Sequence, residues 1–373
     1  MKRIFYFLML LMGILHVGCK TSHTSTGTFQ TVMKIAPGPD NPRNSEGDFI
    51  TLKDGRILFI YSRYYGRSSD DHATAKLASR ESKDGGKTWS TDDKIVVEKE
   101  GVMNVMSVSL LRLQNGEIAL FYLRKNAESD CIPMMRISTD EAQTWGDPVA
   151  CITDRRGYFV LNNDRVIQLN NGRLLMAVAL QQTPEEGKWH KNATLYSYYS
   201  DDNGKTWTTG AAVPNPEHVV FQEPGVVELT NGDIMMIIRT RAGVQYKSYS
   251  KNKGQTWSPG TATDIKSPLS PATIQRILST GDLLLAWNNN KGEDPAMKEK
   301  RTPLTLAVSK DDGNTWQYVR NIETDPVDWC YTAMHFTGKN VLLGYCGVSQ
   351  SKTTHLSVVA ITVKRFSVRD IYK

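Results

Sequence analysis

An eight-residue motif recurs five times along this chain and constrains its fold more than any other feature. The copies are SKDGGKTW (82–89), STDEAQTW (138–145), SDDNGKTW (200–207), SKNKGQTW (250–257) and SKDDGNTW (309–316). Together they hold five of the eight tryptophans of the 373-residue chain. A bulky aromatic residue repeated in register indicates a repeated structural unit that packs against its own neighbours.

A second repeat accompanies the first and predicts β-hairpins. Each unit has two apolar, β-rich runs around a tight turn, as in ITLKDGRILFIY (50–61) and VELTNGDIMMII (227–238). The turn glycines are Gly55, Gly116, Gly172, Gly232, Gly281 and Gly338. Glycine accepts the positive φ of such a turn, so we expect six hairpins.

These repeats together predict an all-β fold. In the first five units, a third strand, the eight-residue motif and a fourth strand follow the hairpin. Four strands per unit, repeated six times, are typical of a six-bladed β-propeller. The end segments TFQTVMKI (28–35) and SVVAITVKRF (357–366) are expected to share a blade and close the ring. We therefore predict a single domain over residues 28–373.

The start of the chain predicts export. A basic pair precedes an apolar run over residues 4–15, and a small residue precedes Cys19. This pattern resembles a lipoprotein signal, with residues 1–18 removed, Cys19 lipidated and residues 19–27 as a tether. An ordinary signal peptide with an incidental cysteine is the alternative. We expect the protein at the periplasmic face or the cell surface, in contact with the membrane only through the lipid.

Charge and cysteine content limit the partners. The formal net charge is +6 without a basic block, so nucleic acid is not an expected partner. We also expect a monomer. No His, Cys and carboxylate residues have metal-site spacing, so no metal or other cofactor is expected. Two cysteine pairs, Cys131 with Cys151 and Cys330 with Cys346, would each face one another across a hairpin. Disulfides and buried free thiols both remain open.

Charged and aromatic residues fall on one edge of the predicted ring. The hairpin turns and the eight-residue motifs share one edge, so the starts of first and third strands and the ends of second strands share the other. At that second edge lie Arg43, Arg63, Asp70, Asp71, Glu223, Arg239, Arg301 and Tyr331. The planar fork of arginine matches a carboxylate, so we predict a small-molecule ligand that bears one. Arg124 also ends a second strand, where a substrate contact and a surface ion pair are both open.

On these residues the chain resembles the exo-sialidases. The eight-residue motif resembles the Asp-box, or bacterial neuraminidase repeat, of sialidase-like propellers. Ala142 replaces the glycine of the motif in the second copy, and Asn252 replaces the aspartate in the fourth. Such variation suits a structural turn rather than a catalytic one. In FQEPGVVELTNGDIMMIIR, Glu223 and Arg239 resemble the family's catalytic glutamate and second triad arginine, 16 residues apart. Tyr331 resembles the nucleophilic tyrosine.

The resemblance also implies roles for residues elsewhere in the chain. Asp71 falls where the family has its acid/base aspartate, Arg43 near the first triad arginine and Arg301 at the third. Arg63 resembles a further arginine of the pocket. The Phe-Arg-Ile-Pro signature of the family is absent, with Asn-Pro-Arg-Asn at 41–44 instead. This departure leaves Arg43 and the choice between Asp70 and Asp71 open.

The resemblance implies an exo-α-sialidase that releases terminal sialic acid from glycans, with retention and without a cofactor. Its tyrosine would attack an anomeric carbon that carries a carboxylate, which would repel a carboxylate nucleophile. Two alternatives remain. One is a glycoside hydrolase or lyase acting on another acidic sugar, and the other is a glycan-binding propeller without catalysis.

Overall fold

The computed structural model describes residues 29–295, 297–350 and 357–373. The predicted leader, Cys19 and the predicted tether lie outside these residues. The described chain is all-β apart from α1 (Val368–Ile371), whose first turn is capped by Ser367. None of its helices is long and apolar enough to cross a bilayer.

The first strand pairs with the last and joins the two ends of the chain. The sheet that joins the two chain ends contains β1 (Gln30–Ile35), β23 (Asp328–Thr337), β24 (Asn340–Gln350) and β25 (Ser357–Ser367). Their order across the sheet is β1-β25-β24-β23. Lys34 lies opposite Thr362 in the antiparallel pairing of β1 with β25. The expected pairing of the two end segments is therefore confirmed.

Three further sheets are four-stranded antiparallel meanders in chain order. The first contains β2 (Asn44–Thr51), β3 (Ile57–Tyr64), β4 (Ala75–Ser82) and β5 (Lys94–Val97). The second contains β15 (Phe221–Glu228), β16 (Ile234–Thr240), β17 (Val244–Ser250) and β18 (Thr261–Lys266). The third contains β19 (Thr273–Arg276), β20 (Leu283–Asn288), β21 (Leu304–Ser309) and β22 (Gln317–Glu323).

The remaining strands form one nine-stranded sheet where the sequence predicts two separate units. It contains β6 (Asn104–Arg112), β7 (Ile118–Ala127), β8 (Asp130–Ser138), β9 (Val149–Ala150), β10 (Tyr158–Val160), β11 (Ile167–Gln168), β12 (Leu174–Gln182), β13 (Thr194–Ser200) and β14 (Thr208–Thr209). A parallel pairing of Tyr158 with Cys131 joins the two halves. In the third unit the first strand is divided into two short strands, β10 and β11, and the first residue of β10 makes this pairing.

The sheets pack through their inner strands. β2 contacts both β6 and β23, β15 contacts β12 and β19, and β19 contacts β23. β16, β20 and β21 each lie between two partner strands and are buried at every position. Apolar side chains such as Phe49, Phe59 and Leu342 fill the space between neighbouring sheets. Burial of each such side chain stabilises the fold by about 1.5–3 kcal/mol.

The eight-residue motifs form exposed turns after the third strands. In the first copy the backbone N–H of Gly86 donates to Ser82 Oγ at 2.9 Å. The Asp84 carboxylate accepts hydrogen bonds from the Thr88 backbone N–H at 2.9 Å and from Thr88 Oγ1 at 2.7 Å. The side chains thus hold the turn closed, as expected for a structural element. All six hairpin glycines have positive φ, between 58° and 93°.

The four cysteines of the described chain are buried free thiols. Cys330 and Cys346 lie directly opposite one another on β23 and β24, as their sequence spacing predicts. Burial raises the pKa of the Cys131 thiol to about 12, so this side chain stays neutral. Of the two possibilities open from the sequence, the structure has free thiols.

Candidate active site

Tyr331 and Glu223 meet at strand irregularities. Each lies at a β-bulge, Tyr331 in β23 and Glu223 in β15, and both have positive φ, 54° and 33°. A non-glycine residue rarely adopts this conformation, and such strain concentrates at functional sites. The Tyr331 hydroxyl donates to Glu223 Oε1 at 3.3 Å. The two bulges therefore turn a phenol and a carboxylate toward each other.

Arg239 pairs with the same carboxylate. It lies on β16 beside β15, and its Nη1 donates to Glu223 Oε2. Both side chains are about nine-tenths buried, at 9% and 11% exposed. The Arg239 Nε is buried without a hydrogen-bond partner in the described part of the chain. A buried guanidinium with an unused donor is suited to a further anionic partner.

Arg301 reaches Tyr331 from the neighbouring sheet. Its backbone N–H donates to Asp328 Oδ1 at 2.8 Å, and its carbonyl accepts from the Trp329 N–H at 2.9 Å. These bonds fix the segment before β21 against the start of β23. The Arg301 guanidinium carbon lies 5.8 Å from the centroid of the Tyr331 ring. Cationic charge therefore lies beside the phenol.

Arg43 lies just before β2 and lines the site together with Asp71. The residue is 7% exposed, and its guanidinium carbon lies 4.5 Å from the centroid of the Tyr64 ring. Nη1 lies 2.5 Å from Asp71 Oδ1, and Nη2 lies 3.3 Å from Glu46 Oε2. Arg43 thus has two carboxylate partners, one of them buried and one exposed.

The two adjacent aspartates differ in their contacts. Asp71 pairs with Arg43, although its side chain is 64% exposed. Asp70 instead accepts a hydrogen bond from Ser68 Oγ at 2.9 Å. Both line a cavity of about 310 Å³ that Arg43, Arg301 and Tyr331 also line. The structure therefore brings Asp71, rather than Asp70, into ionic contact with an arginine of the site.

Arg63 does not join this cluster. Side chains alternate along β3, and since Tyr64 faces Arg43, its neighbour Arg63 points to the other face. There its Nε donates to Asp93 Oδ2 at 3.0 Å. The expected contact of Arg63 with the pocket therefore has no basis in this geometry. Arg124, left open above, has its Nε buried without a hydrogen-bond partner in the described residues.

The ion pairs determine the protonation of the site. Burial alone would raise the pKa of Glu223, but Arg239 and Arg301 outweigh it and hold that pKa below its ordinary value. The same balance applies to Asp71, where Arg43 holds the pKa of the carboxyl low. Burial and the Glu223 charge raise the pKa of Tyr331, so the phenol keeps its proton.

Sequence reasoning assigned no role to Glu46. The carboxylate is buried, and burial raises its pKa despite the Arg43 charge. Its φ of 54° lies in the region that favours glycine. An acid three residues after an arginine was the available signal, but the bulge that turns it back cannot be read from the sequence. Tyr64 was missed because the sequence does not show which face of β3 its side chain lies on.

Metal ligands are not assembled in the described residues. Across residues 29–295, 297–350 and 357–373, no group of three or more His, Cys, Asp or Glu side chains is placed to hold a metal ion. His72 lies 3.9 Å from Glu128. That no cofactor is needed stays a prediction.

A larger cavity, of about 680 Å³, lies between β5 and the second motif turn, and Trp145 lines it. Arg43, Arg239 and Arg301 do not line this cavity.

Comparisons with known proteins agree with this fold. The sialidase of Paraclostridium sordellii is 28% identical over 233 residues, 56% of this chain and 55% of the relative. The chain spans about half the length of two curated relatives that it matches.

Solved structures superpose on most of the chain. A protein of unknown function from Dyadobacter fermentans has a TM-score of 0.68 at 19% identity, covering 91% of this chain and 99% of its own. A leech intramolecular trans-sialidase in complex with 2,7-anhydro-Neu5Ac has a TM-score of 0.68 at 15% identity, covering 93% and 71%. At these identities the likeness concerns the fold.

A family model extends over most of the same region. The BNR repeat-like domain matches residues 64–358. This range contains all five motif turns and the residues of the site except Arg43 and Glu46. The chain therefore belongs to the BNR repeat-like domain family.

Proposed function

We propose that this chain is an exo-α-sialidase that hydrolyses terminal sialic acid from glycoconjugates with retention. Tyr331 would be the nucleophile, Glu223 its base and Asp71 the acid/base. Arg43, Arg239 and Arg301 would bind the substrate carboxylate. The contacts among these six residues and the similarity to a sialidase of Paraclostridium sordellii support this assignment.

One observation carries the proposal. Glu223 accepts a hydrogen bond from the Tyr331 hydroxyl with one oxygen and pairs with Arg239 through the other. A nucleophile hydrogen-bonded to a base, which a third group orients in turn, is the arrangement that nucleophilic catalysis needs. A glycan-binding protein has no use for such a relay.

Substrate binding would activate the relay. The incoming carboxylate competes with Glu223 for Arg239, which weakens that ion pair. The pKa of Glu223 then rises toward its ordinary value and beyond, because its burial remains. Glu223 becomes a stronger base and takes the Tyr331 proton, while Arg301 stabilises the phenolate. The phenolate oxygen then bonds to the anomeric carbon.

Asp71 would complete both half-reactions. Arg43 must release it to bind the substrate carboxylate, which leaves Asp71 free to hold a proton. As the glycosidic bond breaks, Asp71 gives this proton to the leaving oxygen. It then removes a proton from water, whose oxygen displaces Tyr331 from the anomeric carbon. Glu223 returns the proton to Tyr331, so the protein is restored and the configuration is retained.

Turnover of an aryl sialoside tests the proposal. Tyr331→Phe should lose at least about a hundredfold in kcat, the range expected for loss of a catalytic group. Tyr345→Phe is the control, because Tyr345 is a tyrosine on the same sheet whose hydroxyl likewise bonds to a glutamate, Glu323, outside the site. Binding of sialic acid without turnover would indicate a lectin. Neither binding nor turnover would indicate another acidic sugar.

We also propose that the sheets form a six-bladed β-propeller with the site at one mouth of its channel. Supporting this are the cyclic order of inner-strand contacts and the pairing of β1 with β25. In this arrangement the nine-stranded sheet supplies two blades.

We further propose that the protein is exported and lipidated at Cys19, and that it is a monomer. The apolar run followed by Gly18 and Cys19 supports the lipid anchor. Incorporation of labelled palmitate by the wild type, and its loss in Cys19→Ser, would test the anchor. Light scattering would test the monomer.

A further inference from the structure

Lys125 is a fully buried lysine outside the proposed relay. It lies on β7 and is 0% exposed. A buried ammonium is rare and destabilising unless it finds a polar partner. Burial accordingly lowers the pKa of Lys125. A lysine buried in this way is expected to have a specific structural or functional role.

The ammonium of Lys125 binds the residue that carries the proposed acid. Its Nζ donates to the main-chain carbonyl of Asp71 at 2.7 Å. Asn104, directly opposite Lys125 on β6, donates from Nδ2 to the same carbonyl at 2.9 Å and to that of Ala73 at 2.7 Å. Lys125 and Asn104 of the nine-stranded sheet therefore make three hydrogen bonds to the main chain between β3 and β4 of the neighbouring sheet.

The choice of a main-chain acceptor matters for the chemistry. The hydrogen bond from Lys125 fixes the backbone of Asp71 but leaves its carboxylate free to contact Arg43 and solvent. On its other side the ammonium lies 5.1 Å from the centroid of the Tyr158 ring. This contact stabilises the charge without a competing carboxylate.

We propose that Lys125, together with Asn104, is a positioning residue that holds Asp71 at the leaving-group side of the site. This inference rests on the proposed function of Asp71. A proton donor must lie within hydrogen-bond reach of the oxygen it protonates, so the anchored backbone sets the efficiency of proton transfer. The segment 65–74 connects β3 and β4, and Arg43 also holds it through the Asp71 carboxylate and the Ser69 carbonyl. Lys125 and Asn104 add the hydrogen bonds that fix the main chain at Asp71.

Lys125→Met tests this role, because it keeps the length and apolar stem but removes the donor. Lys364→Met is the matched control, since Lys364 is a similarly enclosed lysine paired with Glu323 away from the site. Hydrogen exchange of amides in residues 65–74 reports the anchoring directly. Hydrolysis of two sialosides, one with a sugar leaving group and one with a nitrophenolate, reports proton donation.

We expect faster exchange in residues 65–74 for Lys125→Met only. Its kcat/KM should fall about 10–100-fold for the sugar-linked sialoside and by less than about threefold for the aryl one, which leaves without a proton. Unchanged exchange, or equal losses on both substrates, would overturn the inference. If Lys125→Met does not fold, Asn104→Ala, which removes two of the three hydrogen bonds, is tested by the same two measurements with the same expected results. If the wild type cleaves neither sialoside, the proposed function fails, and hydrogen exchange in residues 65–74 alone tests whether Lys125 holds the segment.

Discussion

Nη1 of Arg43 lies 2.5 Å from Oδ1 of Asp71, so the arginine proposed to bind substrate is already paired with the proposed acid. Arg239 and Glu223 form the corresponding pair on the other side of the site. A ligand carboxylate must therefore compete with both acids of the site. Substrate binding and the protonation of these acids are coupled in this arrangement.

We predict that binding of free sialic acid takes up protons. Arg43 holds the pKa of Asp71 below its ordinary value, and a ligand on Arg43 removes this effect. The pKa of Asp71 therefore rises toward its ordinary value of about 4 on binding, so protons are taken up between the lowered pKa and that value. Titration calorimetry at about pH 4 in buffers of different ionisation enthalpy measures this uptake.

The control for this uptake is Asp71→Asn, which should reduce it and leave only the contribution of Glu223. A binding enthalpy that does not depend on the buffer in the wild type would contradict the coupling.

Glu223→Gln should lower kcat by about a hundredfold or more, because the amide cannot take the Tyr331 proton. Glu217→Gln is a suitable control, since Glu217 also accepts a hydrogen bond from a tyrosine, Tyr246, at 3.0 Å but lies outside the site. Steady-state kinetics of both variants with an aryl sialoside checks this. Similar losses in both would show that Glu–Tyr hydrogen bonds matter for the fold rather than for catalysis.

The two arginines Arg63 and Arg239 should behave differently. Arg239→Ala removes a buried partner of Glu223 and the proposed carboxylate contact, so KM should rise at least about 30-fold. Arg63→Ala breaks an ion pair with Asp93 on the other face of β3, so KM should stay within about threefold of wild type. Equal increases in KM would mean that Arg63 reaches the pocket after all.

The motif turns should affect stability and not turnover. Partial burial would raise the pKa of Asp202, but hydrogen bonds from Thr206 and Ser200 outweigh it and lower the pKa to about 2. A carboxylate with a lowered folded-state pKa stabilises the fold above about pH 4 and loses this effect as the pH falls through its folded value. Asp202→Asn should therefore lower the Tm by about 1–3 °C at neutral pH.

That difference in Tm should shrink below about pH 4 and disappear near pH 2, as followed by circular dichroism. Asn252 occupies the same position in the fourth motif and makes similar bonds to Thr256, so folding should survive the change. A difference that is constant with pH would show that the charge of Asp202 contributes nothing.

The repeats made the strands and turns predictable, because each hairpin and motif is stabilised by its own local residues. The order of the residues around the site followed from strand polarity. The sequence could not show which way individual side chains point. Arg63 and Tyr64 are adjacent, and only the register of β3 decides which of them faces Arg43. The bulge at Glu46 and the reach of Lys125 to the Asp71 carbonyl also depend on packing between sheets.

The central claim is that Tyr331 forms a bond to the substrate. A sialic acid derivative with fluorine next to the anomeric carbon and a fluoride leaving group would slow release of the intermediate and let it accumulate. Intact-protein mass followed by peptide mapping should then find one sugar per chain, on the peptide that contains Tyr331, and none in Tyr331→Phe. Turnover of an aryl sialoside without an adduct on Tyr331, or an adduct that persists in Tyr331→Phe, would contradict the account.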